Sequence, residues 1–305
     1  MGPEMICAAI DIGSNTTRIL VAEPVEGQLV KLMEQRSYTR IAVSRGRRGK
    51  IPKEKVEEVA EVVETQVKLA REVGAEQFRA VATAAIREAP NSKKIAARIS
   101  ERAGVEVEVI SEMEEGRLAF LGATKSLGHP SEGTVAVVDV GGGSTEISIG
   151  TTEEGVGEVR SWPIGSGMLA DEMIESDPPA PSSTRRSRDR VEDELGDKLP
   201  GPVDQAVAVG GSATSLRRMV GAVLEYETLE RGIRVLTGDT VAEVARLYEL
   251  DPVRVRILPT GILILERVSE LLGMPLQIGK GGLREGIILD QLNGRTAEPE
   301  PALST

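Results

Sequence analysis

The chain has 305 residues and a net charge of −11, which predicts two domains and requires local Lys/Arg patches and divalent cations if it binds a polyanion. One cysteine, Cys7, and one histidine, His129, exclude an internal disulfide, a multi-cysteine metal site and a histidine-based catalytic triad. The few aromatic residues, one Trp, three Tyr and two Phe, argue against base stacking on single-stranded nucleic acid, so we expect no nucleic-acid partner.

The first half of the chain predicts three strands and a helix, followed by strand, helix, strand and helix. Apolar residues recur at three- and four-residue steps from Val56 to Val67, which is typical of an amphipathic helix that Gly74 ends. Ser111, with Glu114 three residues later, is typical of a capping box that begins a helix. The predicted strands are 5–11, 18–24, 28–37, 77–82 and 105–110, and the predicted helices are 53–73, 91–102 and 111–124.

The second half begins with the same three-strand order and then adds more helices. Because helices lie between strands that would pair in parallel, the chain is predicted to be α/β. The predicted strands are 135–140, 146–150, 157–163, 204–209 and 274–278; the predicted helices are 166–176, 185–198, 213–222, 239–250, 260–272 and a last one that follows Gly282 and ends near Asp290.

Glycine, proline and serine accumulate at 122–133, which predicts a domain boundary there. We expect an N-terminal domain over 1–125, a C-terminal domain over 126–292 whose last helix is able to pack back on the first domain, and a disordered tail over 293–305. No signal peptide precedes the first strand, and no apolar run approaches ~18 residues. We therefore expect a cytoplasmic protein with no membrane partner.

One strand–turn–strand motif occurs twice in the chain. Residues 10–19, IDIGSNTTRI, align without a gap with residues 138–147, VDVGGGSTEI, and Asp11 matches Asp139. Glycine-rich turns after a strand approach phosphate closely, because no Cβ shields the backbone N–H groups. Two such hairpins facing each other would hold an anion and its metal between two carboxylates. A third turn of this kind is predicted at 210–212.

Acidic residues near these turns are candidates for metal binding and for proton transfer. Asp11, Asp139 and Glu146 are hard oxygen ligands of the kind that Mg²⁺ prefers. Glu112, Glu114 and Glu115 cluster on the first turn of a helix, where capping and the helix dipole explain negative charge. The alternative for Glu115 is that it faces the cleft and accepts a proton from a water that attacks phosphorus.

Two basic features complete the candidate site. Arg87 follows the strand at 77–82, and its guanidinium matches phosphate oxygens in a bidentate manner. A second basic stretch, with eight Arg and Lys residues between 36 and 55, is typical either of a solvated loop or of a positive loop that meets an anion.

Six segments in the same order resemble the exopolyphosphatase / guanosine pentaphosphate phosphatase family, which belongs to the actin-like ATPase superfamily. They are AIDIGSNTTRILV, VATAAIREAPN, VISEMEEGRLAFLGA, VVDVGGGSTEISIG, AVGGSATSL and GLREGIILD. The resemblance implies two ribonuclease-H-like domains with an interdomain cleft. It implies removal of the terminal phosphate from inorganic polyphosphate or from guanosine pentaphosphate, with Mg²⁺ or Mn²⁺ as cofactor. A homodimer is a further expectation from this family.

The resemblance also implies roles for individual residues. Glu115 is similar to the family's catalytic base, and Asp139 and Glu146 to its metal and water-orienting carboxylates, with Asp11 as their counterpart in the first domain. The implied phosphate-binding residues are Ser14, Asn15, Thr16, Arg87, Gly142, Gly143, Ser144, Gly211 and Ser212.

The chain departs from the family pattern at three places. From Ile41 and Ala42 onward, an unusually basic loop replaces a Leu-Gly-Glu-Gly pattern. Glu112 replaces a glycine before the acidic pair, and Gly116 replaces an alanine, which predicts a looser helix start. Longer family members carry additional C-terminal helical domains that help to bind long polymers, so we expect a short two-domain form and short polyphosphate as the substrate.

Two alternatives remain open at this point. A kinase or ATPase of the same superfamily would need an adenosine pocket near Gly210 and Gly211. A non-catalytic sensor of polyphosphate or a guanosine alarmone would keep the phosphate turns, although the presence of Glu115, Asp139 and Glu146 disfavours it.

Overall fold

The computed structural model describes residues 5–44, 49–127, 131, 133–197 and 201–294. The first half forms strands β1 to β5 and helices α1 to α4. The strands are β1 (Cys7–Ile12), β2 (Thr17–Val25), β3 (Gln28–Ser37), β4 (Gln77–Ala82) and β5 (Val107–Val109). The helices are α1 (Lys53–Glu72), α2 (Ala84–Arg87), α3 (Ser92–Ala103) and α4 (Glu112–Lys125).

The second half forms a larger sheet and more helices. Its strands are β6 (Val135–Val140), β7 (Thr145–Thr151), β8 (Gly155–Trp162), β9 (Gln205–Val209), β10 (Val223–Leu224) and β11 (Leu276–Ile278). Its helices are α5 (Ser166–Met173), α6 (Pro181–Leu195), α7 (Gly210–Val220), α8 (Tyr226–Gly238), α9 (Val241–Tyr248), α10 (Pro252–Leu272) and α11 (Leu283–Leu292).

Five strands follow the same order in both sheets, which confirms the predicted α/β class with a duplicated unit, and the second sheet adds the antiparallel edge strand β10. The order is β3-β2-β1-β4-β5 in the first sheet and β10-β11-β9-β6-β7-β8 in the second. Each sheet begins with an antiparallel meander and continues with parallel strands on its other side. The registers also match, because Asp11 pairs with Arg18 and Asp139 pairs with Glu146. Each repeat therefore carries its aspartate at the same point of the sheet, next to the turn.

Aliphatic residues form the cores, as the scarcity of aromatic residues requires. In the first half, Ile10 and Ile12 of β1 pack with Val59, Val63 and other buried residues of α1. In the second half, Val138 and Val140 of β6 lie in a cluster with α7 and α10. Burial of such side chains contributes roughly 1.5–3 kcal/mol each, so both halves have a sizeable hydrophobic core.

Helices α4 and α11 join the two halves. Ile287 and Ile288 of α11 pack with Ala9 of the first sheet, whereas Phe120 of α4 packs with Val137 of the second sheet. The two helices touch through backbone, since a Cβ at Gly286 would overlap the carbonyl oxygen of Leu118. Each sheet is thus covered in part by a helix from the other half of the chain. The predicted boundary after residue 125 stays a prediction.

Several predicted limits in the second half were wrong. Helix α10 begins at Pro252, not at 260, because Asp251 caps it by accepting a hydrogen bond from the Val253 N–H at 2.8 Å, and Pro259 lies inside it. Helix α8 was not predicted, the helix predicted at 185–198 begins at Pro181, and the turn predicted at 210–212 is the first turn of α7.

Some of the sequence predictions fall on residues that the structure does not describe. His129, the arginines at 45, 47 and 48, and the tail from 295 lie outside the described residues. Among the helices that the structure describes, none combines the length and apolar character that a membrane span requires.

Candidate active site

The two repeated turns face each other, as the motif predicted. A Cβ added at Gly142 would lie 2.5 Å from the Asn15 Cβ, and one added at Gly143 would lie 2.6 Å from the Ser14 Oγ. Each turn is closed by a backbone hydrogen bond, from Gly13 N–H to the carbonyl of Thr16 in the first and its equivalent in the second, both at 3.0 Å. The two turns therefore lie so close together that a side chain at either glycine would overlap the opposite turn.

Neighbouring segments hold both turns by their carbonyl oxygens. The N–H groups of Arg40 and Ala42 donate to the carbonyls of Asn15 and Ser14 at 2.9 and 3.0 Å. At the other turn, the first residues of α5 donate in the same way to the carbonyls of Gly141 and Gly142. These bonds orient the turns without using the N–H groups that a phosphate would need.

A small cavity of about 60 Å³ lies between the turns and the acidic residues. Glu115 reaches it from the first turn of α4, with a side chain that is 12% exposed, and Glu146 reaches it from β7 and is 4% exposed. The predicted site residues that line it are Asp11, Ser14, Asn15, Thr16, Glu115, Asp139, Gly142, Gly143, Ser144, Glu146 and Gly211.

Two predicted phosphate-binding residues lie elsewhere. Arg87 is on α2, and its Nη1 donates to Glu115 Oε2 at 2.7 Å. Its Nη2 is buried, has no hydrogen-bond partner among the described residues and lies 3.7 Å from Glu112 Oε1. Ser212, the third residue of α7, is buried. Its Oγ donates a hydrogen bond to Ser166 Oγ at 3.3 Å, so the side chain points into the protein and not at the cavity.

Burial and mutual repulsion raise the pKa values of the acids in the cavity. Burial raises the pKa of Glu115 to about 7, against the opposing effect of Arg87. Burial also raises the pKa of Asp139 to about 6. The pKa of Glu146 lies well above its ordinary value, because of burial first and the charge of Glu115 second. The cavity therefore has an excess of negative charge that protons or a cation must offset.

Comparison with known proteins identifies the family of this chain. The family model described as the Ppx/GppA phosphatase family matches residues 20–294. The chain belongs to this family. Exopolyphosphatase 1 of Mycobacterium leprae is 31% identical over 308 residues, covering 95% of this chain and 90% of that protein. The resemblance carried by the six segments is confirmed, and the chain is a hydrolase.

Solved structures support the same fold. The crystal structure of the Aquifex aeolicus Ppx/GppA family member has a TM-score of 0.80 and 31% identity, and covers 97% of this chain and 100% of that one. An exopolyphosphatase from Cytophaga hutchinsonii has a TM-score of 0.83, with 95% and 98% covered, and at 21% identity it supports the fold alone. The predicted ribonuclease-H-like, actin-like ATPase architecture is confirmed.

The donor set of this Ppx/GppA site fits Mg²⁺. Within the described residues, no three His, Cys, Asp or Glu side chains are grouped so as to hold a metal by themselves. Mg²⁺ at phosphate-transferring sites needs no such cage, because one or two carboxylates, substrate oxygens and water complete its shell. Asp139 and Glu146 pair in register on β6 and β7, and both line the cavity with their carboxylates. Asp11 lines the same cavity. A role for Mg²⁺ or Mn²⁺ stays a prediction.

The raised pKa values predict how stability depends on pH. The folded protein keeps protons on Glu115 and Asp139 that the unfolded chain releases above pH ~4, so these groups destabilise the fold as pH rises through about 6 to 7. Acids with lowered pKa values, such as Glu114, titrate below this window. Without divalent ions, Tm should fall between about pH 5.5 and about pH 8, and Mg²⁺ should raise Tm more at the higher pH.

Scanning calorimetry at both pH values, with and without Mg²⁺, tests this expectation. The variant Glu146→Gln should flatten the fall in Tm and weaken the effect of Mg²⁺. An equal Mg²⁺ effect at both pH values would contradict the proposed site for the cation.

Two arginines near the site were not predicted. Arg18 pairs in register with Asp11, at the position where Glu146 pairs with Asp139 in the other repeat, so the alignment of the repeats contains a signal for Arg18. Arg254 on α10 is 4% exposed, and its Nε and Nη2 have no hydrogen-bond partner in the described part of the chain. Since it lies in a helix that the sequence did not predict to begin there, no signal pointed to it.

The expected effect of Gly116 on the start of α4 stays a prediction. The structure adds that Gly116 is buried and in close contact with the second sheet. The cap itself is formed as predicted, because Ser111 Oγ accepts a hydrogen bond from Glu114 N–H at 3.2 Å. The Glu114 carboxylate does not complete a capping box and instead forms ion pairs with Arg79 and Arg117.

Proposed function

We propose that this protein is an exopolyphosphatase that hydrolyses the terminal phosphoanhydride bond of inorganic polyphosphate, with Glu115 as the general base. One observation carries the proposal: Glu115, with its pKa raised to about 7, shares one cavity with both phosphate-sized turns. The relatives that are named exopolyphosphatase, at 30–31% identity, support the same substrate class.

The terminal phosphate would bind between the two turns. The N–H groups of Gly142, Gly143 and Ser144 are suited to its oxygens, because backbone N–H groups at a glycine-rich turn form an anion-binding concavity. The hydroxyl groups of Ser14 and Thr16 line the same cavity from the other side. Arg87 does not line this cavity and acts on the site through its hydrogen bond to Glu115.

Glu115 would take the proton of the attacking water. The water oxygen forms a bond to the terminal phosphorus, and the bridging oxygen leaves with the shortened chain. A base whose pKa lies near the working pH balances ionisation against proton affinity, and Glu115 meets that condition where an exposed glutamate would not. Mg²⁺ held by Asp139 and Glu146 would supply positive charge beside the phosphate oxygens. Arg87 orients Glu115 through its 2.7 Å ion pair.

The remainder of the polymer would lie in an adjoining cavity of about 460 Å³ between the two halves. Asp11, Arg18, Asp139 and Gly211 line both cavities, so the two are continuous. Arg254 faces this space with unpaired donors, which a phosphate oxygen would satisfy. The cations that line it are Arg18, Lys31, Arg36, Arg218, Arg254, Lys280 and Arg284. A cavity of this size between two lobes favours short chains.

Guanosine pentaphosphate is the second candidate substrate. The size of the adjoining cavity favours it, since about 460 Å³ is within the range of small-molecule sites and a nucleoside would fit there with its phosphate end between the turns. A sensor that binds either ligand without turnover, a cytoplasmic location and a homodimer stay predictions.

Phosphate release in the presence of Mg²⁺ tests the proposed function. The substrates are short polyphosphate, long polyphosphate, guanosine pentaphosphate and ATP. We expect release from short polyphosphate to exceed that from long polyphosphate and ATP. A higher rate on guanosine pentaphosphate would make the second candidate the function, and binding without release would make the protein a sensor.

Arg87→Ala is expected to lower kcat by about tenfold or more, because Glu115 loses a charge-assisted hydrogen bond that contributes ~1.5–3 kcal/mol and orients its carboxylate. Since Arg87 opposes the rise in the pKa of Glu115, the acid limb of kcat/KM should also move to higher pH. Steady-state kinetics across pH provide the measurement. Arg98→Ala, which removes an exposed ion pair with Glu57 on the surface, is the matched control. Unchanged kcat together with an unchanged pH profile would refute the role of Arg87 in orienting Glu115.

A further inference from the structure

The first turn of α4 lies on a defined pair of residues in the second sheet. On the β7–β8 ladder, Glu146 pairs with Ser161, and Ser148 pairs with Val159. Residues two apart on a strand point to the same face, so these are successive pairs on one face of the sheet. A Cβ added at Gly116 would lie 2.6 Å from Ser148 Oγ and 2.7 Å from both Cγ atoms of Val159. Gly116 therefore brings α4 into contact with Ser148 and Val159, next to the pair that contains Glu146.

Both neighbours restrict the space for a side chain at this position. Ser148 is 1% exposed on a central strand, and Val159 is β-branched, so its χ1 angle is restricted. Elsewhere on α4, the backbone carbonyl of Leu118 contacts Gly286 of α11. To move from 2.6 Å to an ordinary contact of 3.4 Å, an alanine at 116 would have to displace the start of α4 by nearly 1 Å.

Such a displacement would reach Glu115 directly. Glu115 precedes Gly116 on the same helical turn, and its charge contributes to the raised pKa of Glu146. Ser161 Oγ donates to Glu146 Oε1 at 3.1 Å, so Glu146 is itself fixed to the sheet on which Gly116 rests. The second sheet therefore holds Glu146 directly, and through its contact with Gly116 it also sets the distance between Glu115 and Glu146.

From these contacts we infer that Gly116 is a positioning residue, which sets the carboxylate of Glu115 against Glu146 and the phosphate turns through its contact with Ser148 and Val159. The inference rests on the proposed function of Glu115 as the base. Ser148 Oγ and the methyl groups of Val159 occupy the space that a methyl group at position 116 would need.

Gly116→Ala should lower kcat for polyphosphate by about 10- to 100-fold and change KM by less than about threefold, since a misplacement of ~1 Å at a reacting group costs up to ~10² in rate. Rescue provides the decisive readout. In a Ser148→Ala/Val159→Ala background, which removes all three opposing atoms, adding Gly116→Ala should lower kcat by less than about twofold.

A control separates positioning from loss of stability. Phe120→Leu, about one turn further along α4, reduces packing against Val135 and Val137 and should lower Tm while leaving kcat per folded molecule within about twofold. If Gly116→Ala alone does not fold, the Val159→Ala background gives a graded comparison, because only Ser148 Oγ then opposes the new methyl group. An intermediate kcat is expected there.

Wild-type kcat in Gly116→Ala would overturn the inference, and so would a loss that the double background does not rescue in folded protein. Failure of the proposed function has a different signature: Glu115→Gln would keep full turnover, whatever Gly116→Ala does. If Glu115→Gln is inactive and Gly116→Ala is fully active, only the positioning role fails.

Discussion

Glu115→Gln is expected to abolish phosphate release while changing the affinity for polyphosphate by less than about threefold. Glutamine keeps the shape of the side chain and a hydrogen bond to Arg87, but it cannot accept the proton of the attacking water. Loss of a general base lowers kcat by ~10²–10⁴-fold. Binding should persist because the two turns remain in place.

Single-turnover phosphate release and a separate binding measurement test this prediction. Glu112→Gln is the matched control, since Glu112 lies on the same helical turn but is exposed and 3.7 Å from Arg87. It should retain turnover. Equal turnover in Glu115→Gln would refute the assignment of the base, and loss of binding would show that Glu115 acts mainly in holding the site together.

Gly142→Ala should lower kcat/KM by about 100-fold, the loss expected when reacting groups are misplaced by ~1 Å. Its new Cβ would lie 2.5 Å from the Asn15 Cβ and 3.3 Å from the Asn15 backbone nitrogen, so the two turns would have to separate. Separation would break the contact of one phosphate with both turns at once, and affinity and rate would fall together.

Steady-state kinetics with short polyphosphate measure this effect. Gly157→Ala on β8 is the matched control, because a Cβ there would approach nothing closer than 3.9 Å. That variant should keep wild-type kinetics. Wild-type kinetics in Gly142→Ala would contradict a site formed by both turns.

Much of the site was predictable because it is local in sequence. A strand that ends in Asp and Gly fixes both the direction of the carboxylate and the position of the turn, so Asp11 and Asp139 were found from a few residues each. The gapless repeat then predicted that the two turns face each other. Ser111 as a helix cap likewise depends only on nearby residues.

The errors came from contacts between distant parts of the chain. The contact of Gly116 was missed because helix propensity does not show that Ser148 and Val159 face it from another element. Helix α8 was not predicted, and it contains Gly232, whose missing side chain leaves room for Ile262 of α10. Arg254 became a candidate only when α10 placed its guanidinium beside Gly211. Tertiary packing overrides local preference at each of these positions.

The most direct test of the account is the fate of solvent oxygen during hydrolysis of short polyphosphate in ¹⁸O-labelled water. Attack on the terminal phosphorus by a water that Glu115 activates places the label in the released orthophosphate and leaves the shortened chain unlabelled. We expect one labelled oxygen in each phosphate released by the wild-type protein, and none above background with Glu115→Gln. Label in the shortened chain, or labelled phosphate released equally by Glu115→Gln, would contradict the proposed site and its base.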